Sequence, residues 1–173
     1  MKKYSGFTLL ELIVTVVIVA LVAAIAVPAM QTFAQNDRLI SQINTLTGHL
    51  AYARSEAVKR AQQVAICVSN NTTTCTGGAN WEDGWIVYVD ANADGTFNPG
   101  GLNEDLLRAQ QTLEGGNTLS TTIGTQVTYD YRGYVTAASI GSFSLCDSRG
   151  ATYGRAIAIS TTGRVRREDT VSC

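Results

Sequence analysis

The feature that most constrains this chain is an apolar run that follows a short basic leader at its N-terminus. Lys2 and Lys3 precede the run, which covers residues 7–30 and contains a single charged side chain, Glu11. At about 1.5 Å per residue, a helix over residues 7–27 spans about 31 Å, the thickness of one hydrocarbon core. Because positive charge stays on the cytoplasmic side, the sequence predicts that everything after the run is exported.

A secretory signal peptide also begins with lysines and an apolar run. The run in this chain is longer than the apolar part of a signal peptide, and only a weak small-residue cleavage site follows it, at residues 27–29. We therefore expect the helix to be retained as a membrane anchor.

Glu11 is the unusual residue of the apolar run. A carboxylate at the centre of a bilayer costs about 2.5–3.5 kcal/mol on insertion scales, so an acid in such a helix indicates a function. One interpretation puts Glu11 one turn into the helix, where it reaches the interface and the positive end of the helix dipole. The other is that cleavage between Gly6 and Phe7 creates a new amino terminus, and that Glu11 pairs with this group on a neighbouring chain.

The segment Gly6–Leu12, with the sequence GFTLLEL, resembles the type IV prepilin signature. The resemblance implies that a prepilin peptidase cleaves after Gly6 and methylates the amino group of Phe7. It also implies that Glu11 is the carboxylate used in filament assembly, and that other pilins are partners.

The helical pattern continues over residues 31–60. Apolar side chains recur there at three- and four-residue intervals, which is typical of an amphipathic helix. These residues are Phe33, Ile40, Ile43, Leu46, Leu50, Ala53 and Ala57.

From residue 61 the pattern changes to short β-type segments separated by turn residues. The predicted segments are Gln63–Val68, Trp85–Asp90, Leu106–Leu113, Gln126–Tyr131, Ser142–Cys146, Arg155–Thr161 and Arg164–Glu168. The predicted fold class is α+β, with a long N-terminal helix packed on small antiparallel sheets. The expected organisation is a leader over 1–6, a transmembrane assembly helix over 7–30, an amphipathic helix over 31–60 and a β-rich head over 61–173.

Four cysteines in an exported head fit an oxidising compartment. Cys67 and Cys75 close a short loop rich in asparagine and threonine, which favours a local bridge. Cys146 and Cys173 would then form the second bridge, although three pairings are possible and free thiols are the alternative. The spacing of these residues does not fit a metal site.

Three groups of residues in the head carry a second resemblance. They are Cys67-Val68-Ser69 with Cys75, Trp81 and Gly84–Val87; then Asp90–Gly95; and last Leu145–Asp147, Ala156–Ile159 and Gly163–Arg166. In this order they resemble the FimT/GspH-type minor pilins and pseudopilins. The resemblance implies a pilin-like fold, and it implies that the motif GRxR at Arg164 and Arg166 binds DNA in natural transformation, with Arg167 as an additional candidate.

The physical chemistry of a strand supports this site. On a β-strand Arg164 and Arg166 point the same way, about 6.6 Å apart, while Val165 faces the core. Two guanidinium groups at this spacing can each bind a backbone phosphate. The alternative is that these arginines only keep an edge strand soluble, and acids at Glu168 and Asp169 could neutralise them.

Arg132 is a weaker candidate for the same surface. It lies among Tyr129, Tyr131 and Tyr134, and aromatic side chains interleaved with arginine can stack on bases. The alternation of Tyr129 and Tyr131 is equally typical of a half-buried strand.

The segment Asp90–Gly95 matches the start of a calcium-binding loop of the EF-hand type. The closing acid is expected at position 101, which is glycine, and Glu104 and Asp105 come later. An Asx-rich turn between strands is the favoured interpretation, so we expect no metal site, and no cofactor.

Motifs typical of catalysis are missing from the sequence, and its single histidine, His49, is expected to be structural. We therefore expect a protein that is not an enzyme and has no small-molecule substrate. The leading hypothesis is a minor type IV pilin that binds DNA, located in the inner membrane with a periplasmic head before assembly and in the pilus at the cell surface afterwards. The alternative is a GspH-like minor pseudopilin of a type II secretion system with no role in DNA binding.

Processing provides the first test. We expect the protein isolated from its native membrane or filament to begin at Phe7 and to carry one N-methyl group. Mass spectrometry of the N-terminal peptide measures this directly. A chain that still begins with Met1 would contradict the assignment of Gly6 as the cleavage site.

Overall fold

The structure is a computed structural model that describes residues 7–78 and 80–173. Gly6, and with it the predicted cleavage site, lies outside the described residues. The chain divides into two compact units, of which the first ends at Asp37 and the second comprises Arg38–Cys173.

A single helix, α1, covers Leu9–Arg60. It begins at a cap in which the N–H of Glu11 donates to Oγ1 of Thr8 at 3.2 Å, and the Thr8–Glu11 spacing is that of a capping box. It ends at Arg60. The next residue, Ala61, has a φ of 53°, and the N–H of Gln62 donates back to the carbonyl of Ala57 at 3.2 Å, which satisfies one of the last carbonyls of the helix.

The first part of α1 exposes its apolar side chains. Every described residue from 7 to 34 is exposed, and by length and composition this helix could cross a membrane. Such a surface is stable only in lipid or against other apolar helices, because exposure of apolar area to water is unfavourable.

The second part of α1 buries one face. Leu39, Ile43, Leu46, Leu50, Ala53 and Ala57 are buried in the core. Full burial of each leucine contributes about 1.5–3 kcal/mol. The predicted stripe was too long, because Phe33 and Ile40 are exposed and packing starts only at Leu39.

In the described part of the chain, eight strands form two antiparallel four-stranded sheets. The strands are β1 Gln63–Val68, β2 Trp85–Asp90, β3 Leu106–Gln110, β4 Thr118–Thr121, β5 Gln126–Tyr129, β6 Gly141–Cys146, β7 Arg155–Ile159 and β8 Val165–Glu168. Sheet A has the order β3-β2-β1-β5, and sheet B has the order β4-β6-β7-β8. The predicted fold class, a long helix packed on antiparallel sheets, is confirmed.

The differences from the predicted strands are small and concern polar segments. Strand β4 was missed, because its Thr- and Ser-containing sequence lacks a continuous apolar pattern and only Leu119 is buried. The predicted strand at 106–113 ends at Gln110, and the one at 126–131 ends at Tyr129.

One core joins α1 to both sheets. Residues of sheet A such as Ile66 and Trp85 share it with Phe143 and Ile157 of sheet B. A second cluster, built on Ala65, Cys67, Ile86, Tyr88 and Phe97, covers the other face of sheet A. Burial on both faces explains why β1 and β2 read as nearly continuous apolar runs.

Two disulfides close the head. Cys67 is bonded to Cys75, and Cys146 is bonded to Cys173, which is the pairing that the short 67–75 loop favoured. The second bridge ties the segment after β8 to the end of β6. There the N–H of Ser172 also donates to Oγ of Ser144 at 3.2 Å. Strand β8 is therefore held from both ends.

His49 connects α1 to sheet A. The indole N–H of Trp85 donates a hydrogen bond to Nδ1 of His49 at 3.0 Å, so Nδ1 is the acceptor and carries no proton of its own. Burial, and then the charge of Arg108, lower the pKa of His49 below its ordinary value of 6.5.

This contact predicts a pH-dependent stability. Because the pKa of His49 is lower in the folded state, the unfolded chain binds more protons below about pH 6.5, and the free energy of unfolding falls as the pH drops. Denaturant unfolding at about pH 7.5 and pH 5.5 measures the change. His49 is the only histidine, so His49→Gln should remove the dependence in this window. Equal stability of the wild type at both pH values would contradict the assignment.

Candidate nucleic-acid interface

The predicted arginine motif lies at the hairpin that joins β7 to β8. Ile159 pairs with Val165, and the turn between them is closed by hydrogen bonds from Gly163 N–H to the Ser160 carbonyl at 2.8 Å and from Ser160 N–H to the Arg164 carbonyl at 3.1 Å. Gly163 has a φ of +73°, which a residue with a side chain rarely adopts. The glycine of the motif is therefore required by the turn.

Arg164 directly precedes β8, and Arg166 and Arg167 lie on the strand. Val165 is half-buried and packs on the core, while Arg164, Arg166 and Arg167 are exposed. Arg166 lies 3.6 Å from Glu168, at the long end of an ion pair, and its side chain remains 73% exposed. A pair so open to solvent contributes little, so Glu168 does not remove Arg166 as a binding group.

The turn at residues 130–134 contacts the β7–β8 turn. A Cβ placed on Gly163 would collide with the carbonyl oxygen of Gly133, and it would lie 3.0 Å from the ring of Tyr129. The same carbonyl accepts a hydrogen bond of 3.0 Å from Nε of Arg54 on α1. Gly133 therefore links α1 to the motif turn, a contact that no spacing in the sequence indicates.

The turn at residues 130–134 carries Arg132, the weaker sequence candidate. Its guanidinium lies 5.3 Å from the ring of Tyr131 and 5.6 Å from that of Tyr134, and it donates twice to Oδ2 of Asp130. Both tyrosines are at least half exposed, whereas Tyr129 is fully buried. The interpretation of Tyr129 and Tyr131 as members of one strand was therefore half right, because the strand ends at Tyr129.

Asp130 holds this turn together and partly neutralises Arg132. Burial raises the pKa of Asp130, but hydrogen bonds from the Tyr134 N–H and from Arg132 outweigh burial and leave the pKa below its ordinary value. Arg132 is thus a positioned cation that Asp130 partly compensates, and we expect it to be a weaker phosphate ligand than Arg164, Arg166 and Arg167.

A groove adjoins the arginines between the head part of α1 and β8. It comprises two cavities, of about 570 Å³ and about 200 Å³, that share Thr47 and Val165 as lining residues. We call it the α1–β8 groove. Arg54, Lys59, Arg155, Arg164, Arg166 and Arg167 line it, and none of the described lining residues is acidic. Sequence analysis missed Arg54, Lys59 and Arg155, because they lie on other elements.

The acidic loop after β2 is the one group of carboxylates that could hold a metal among the described residues. Oxygens of Asp90, Asp94 and Glu104 lie within 4.8 Å of one another, and calcium prefers such ligands. Glu104 follows the expected closing position in sequence, but the chain folds back and brings it near Asp90 and Asp94, where Asn98 N–H donates to it. Asp90 also accepts hydrogen bonds from the N–H groups of Asp94 and Gly95, as in the favoured Asx-type turn.

At the other end of the chain, Phe7 is 83% exposed and Glu11 is also exposed. Glu11 stands at the third helical position, which agrees with the interpretation that it interacts with the helix start. A single chain does not contain the neighbouring amino terminus that the second interpretation requires.

Comparison with known proteins identifies the family. Residues 42–163 match the family described as type II transport protein GspH, and residues 1–27 match the prokaryotic N-terminal methylation motif. The chain belongs to the GspH family. Together the two matches confirm that this GspH-family chain is a pilin or pseudopilin with a prepilin-type N-terminus.

The relatives agree with this assignment. Prepilin peptidase-dependent protein D of Escherichia coli K12 is 30% identical over 80 residues, which are 46% of this chain and 49% of that protein. The match therefore spans about half the length of that curated relative. Two crystal structures of the type IV minor pilin FimU from Pseudomonas aeruginosa PAO1 are similar to the GspH-family chain. Their TM-scores are 0.59 and 0.55 at 22% identity, and the matches cover 79% and 75% of this chain and 92% of each FimU chain. At this identity the likeness shows a shared fold.

The contact between the two turns yields a prediction for Gly163→Ala. The substitution adds both an unfavourable positive φ, about 1–2 kcal/mol, and a collision with the Gly133 carbonyl. Gly150→Ala is the matched control, since Gly150 has a φ of +82° but no atom within 4 Å of an added Cβ. Denaturant unfolding should show a larger loss for Gly163→Ala than for Gly150→Ala, and equal losses would contradict the close contact.

Proposed function

We propose that this GspH-family chain is a minor type IV pilin that binds extracellular DNA through Arg164 and Arg166 during natural transformation. The observation that carries the proposal is the pair of exposed arginines on a turn that is fixed by hydrogen bonds and by contact with Gly133. Arginines on a fixed turn lose less backbone entropy when they bind phosphate than arginines on a mobile tail. Arg167 and Arg132 are secondary contributors.

Assembly through the N-terminal helix is the second part of the proposal. Cleavage between Gly6 and Phe7 by a prepilin peptidase would place a methylated ammonium next to Glu11 of an adjacent subunit. The exposed apolar surface of residues 7–34 would then be buried against other pilin helices. Before assembly the same helix would hold the protein in the inner membrane, with the head in the periplasm.

Binding by one copy should be weak. Contacts from Arg164, Arg166 and Arg167 to three phosphates of duplex DNA give a slope of about −2.7 for log K against log salt concentration. Physiological salt would therefore reduce the affinity strongly, and several copies or neighbouring subunits would be needed for firm attachment.

The alternative function is a minor pseudopilin of a type II secretion system. The observation that favours it is the match to a family described as a type II transport protein. The partners would then be other pseudopilins, and the arginines would serve solubility or subunit contact. Like the other members of the pilin and pseudopilin families, the chain would be a structural protein and not an enzyme.

A DNA titration separates the two functions. We expect the full-length protein in detergent to bind a labelled DNA duplex, and the double variant Arg164→Ala/Arg166→Ala to bind at least tenfold more weakly, because each lost charged hydrogen bond contributes about 1.5–3 kcal/mol. Arg108→Ala is the control, since Arg108 is exposed on β3 and does not line the α1–β8 groove.

Equal DNA binding by the wild type and the double variant would remove the assigned site. In the native organism, a deletion that abolishes transformation supports the pilin function. A deletion that instead abolishes the release of secreted proteins supports the pseudopilin function.

A further inference from the structure

The α1–β8 groove has a charge pattern that Arg164, Arg166 and Arg167 do not explain. Arg54 and Lys59 stand on its helical wall, and Arg155 comes from β7. With Arg164, Arg166 and Arg167, cations of three elements converge on one groove, although the whole chain has a formal charge of −1. Like charges that gather without an acidic lining residue repel each other, so the groove favours an anionic occupant.

The size of the groove restricts the form of that occupant. Cavities of about 570 Å³ and about 200 Å³ have the size of sites that hold a small molecule or a few units of one extended chain. A DNA duplex cannot enter such a space, since its major groove alone is about 12 Å wide. One sugar-phosphate backbone can enter it while the rest of the duplex stays outside.

The length of the groove fits several phosphates. Its lining residues on α1 extend from Ile40 to Lys59, which is about 28 Å along a helix at about 1.5 Å per residue. The axial rise of about 3.4 Å per phosphate is shorter than the path of the backbone between two phosphates, so the groove takes fewer than about eight phosphates of one strand. Each of the six cations can contact one of them.

The lining residues also indicate that the groove does not recognise bases. The remaining side chains are aliphatic or small and polar, for example Ala51, Val58 and Thr47, and none of the described lining residues is aromatic. Base stacking, and with it recognition of unpaired bases, needs aromatic side chains. Contacts restricted to the backbone position DNA without reading its sequence.

We propose that the α1–β8 groove seats the backbone of one strand of duplex DNA, with Arg54, Lys59 and Arg155 as additional phosphate-binding residues. This inference rests on the proposed DNA-binding function and extends its site from β8 to α1 and β7. Lys59 pairs with Glu56 at 3.3 Å, but its side chain is 76% exposed and Arg60 also binds Glu56, at 2.8 Å. Lys59 can therefore turn towards a phosphate without leaving Glu56 unpaired.

The salt dependence of binding tests the proposal with the full-length protein in detergent. Six phosphate contacts predict a slope of about −5.4 for log K against log salt concentration, compared with about −2.7 for Arg164, Arg166 and Arg167 alone. The variant Lys59→Gln/Arg155→Gln should bind more weakly and change the slope to about −3.6. Lys59→Gln alone should make the slope less negative by about one unit. This single variant replaces the double variant in the test if the double variant does not fold. Arg108→Gln, outside the groove, should leave affinity and slope unchanged.

The possible results distinguish an error in the groove from an error in the DNA site at Arg164 and Arg166. If the wild-type slope is about −2.7 and Lys59→Gln/Arg155→Gln binds like the wild type, the groove is not part of the site, whereas loss of binding in Arg164→Ala/Arg166→Ala still supports the DNA function. If Arg164→Ala/Arg166→Ala also binds like the wild type, the DNA site itself is wrong. If polyglutamate displaces a duplex of equal charge concentration, the groove binds an acidic protein segment and the proposal fails. Two duplexes of different sequence should bind equally, and a strong preference for one would contradict backbone recognition.

Discussion

The packing of one face of α1 against both sheets is the interaction on which the rest of the head depends. Leu39, Leu46 and Leu50 are fully buried there, together with residues from sheet A and sheet B. The central cluster takes residues from both sheets and from α1, so the helix helps to remove one apolar face of each sheet from water. The same packing sets the distance between α1 and β8. The groove and its two cationic walls are therefore consequences of how the core is built.

A contact between two glycines fixes the candidate site within this frame. Gly163 closes the β7–β8 turn, and the carbonyl of Gly133 fits against it only because no side chain is present. Arg54 of α1 donates to that carbonyl. The helix, the turn that carries Arg132 and the β7–β8 turn therefore meet at Gly133. The arginines of β8 are thus positioned by the tertiary structure and not only by their strand.

The family assignment concerns how the protein assembles, whereas the candidate site concerns what it binds. The methylation motif and the apolar first part of α1 belong to a mode of assembly that pilins and secretion pseudopilins share, and so they do not separate the two. The proposed DNA-binding role rests instead on the local charge at β8 and along the groove. A nearly neutral chain can carry such a surface because its acids collect elsewhere, for example at Asp90, Asp94 and Glu104.

The sequence by itself determined the N-terminal helix, the family and most of the strands, because these depend on local periodicity and on short contiguous motifs. β1 and β2 were predicted to the residue, since continuous apolar runs bounded by turns leave little choice. Alternation along a strand also separated Arg164 and Arg166 from Val165. Only the tertiary structure decided that Phe33 and Ile40 lie outside the core, that the polar β4 is an edge strand, and that Arg54, Lys59 and Arg155 join the arginines of β8. These facts depend on contacts between residues far apart in the chain, and no local pattern records which distant side chains will meet when the core closes.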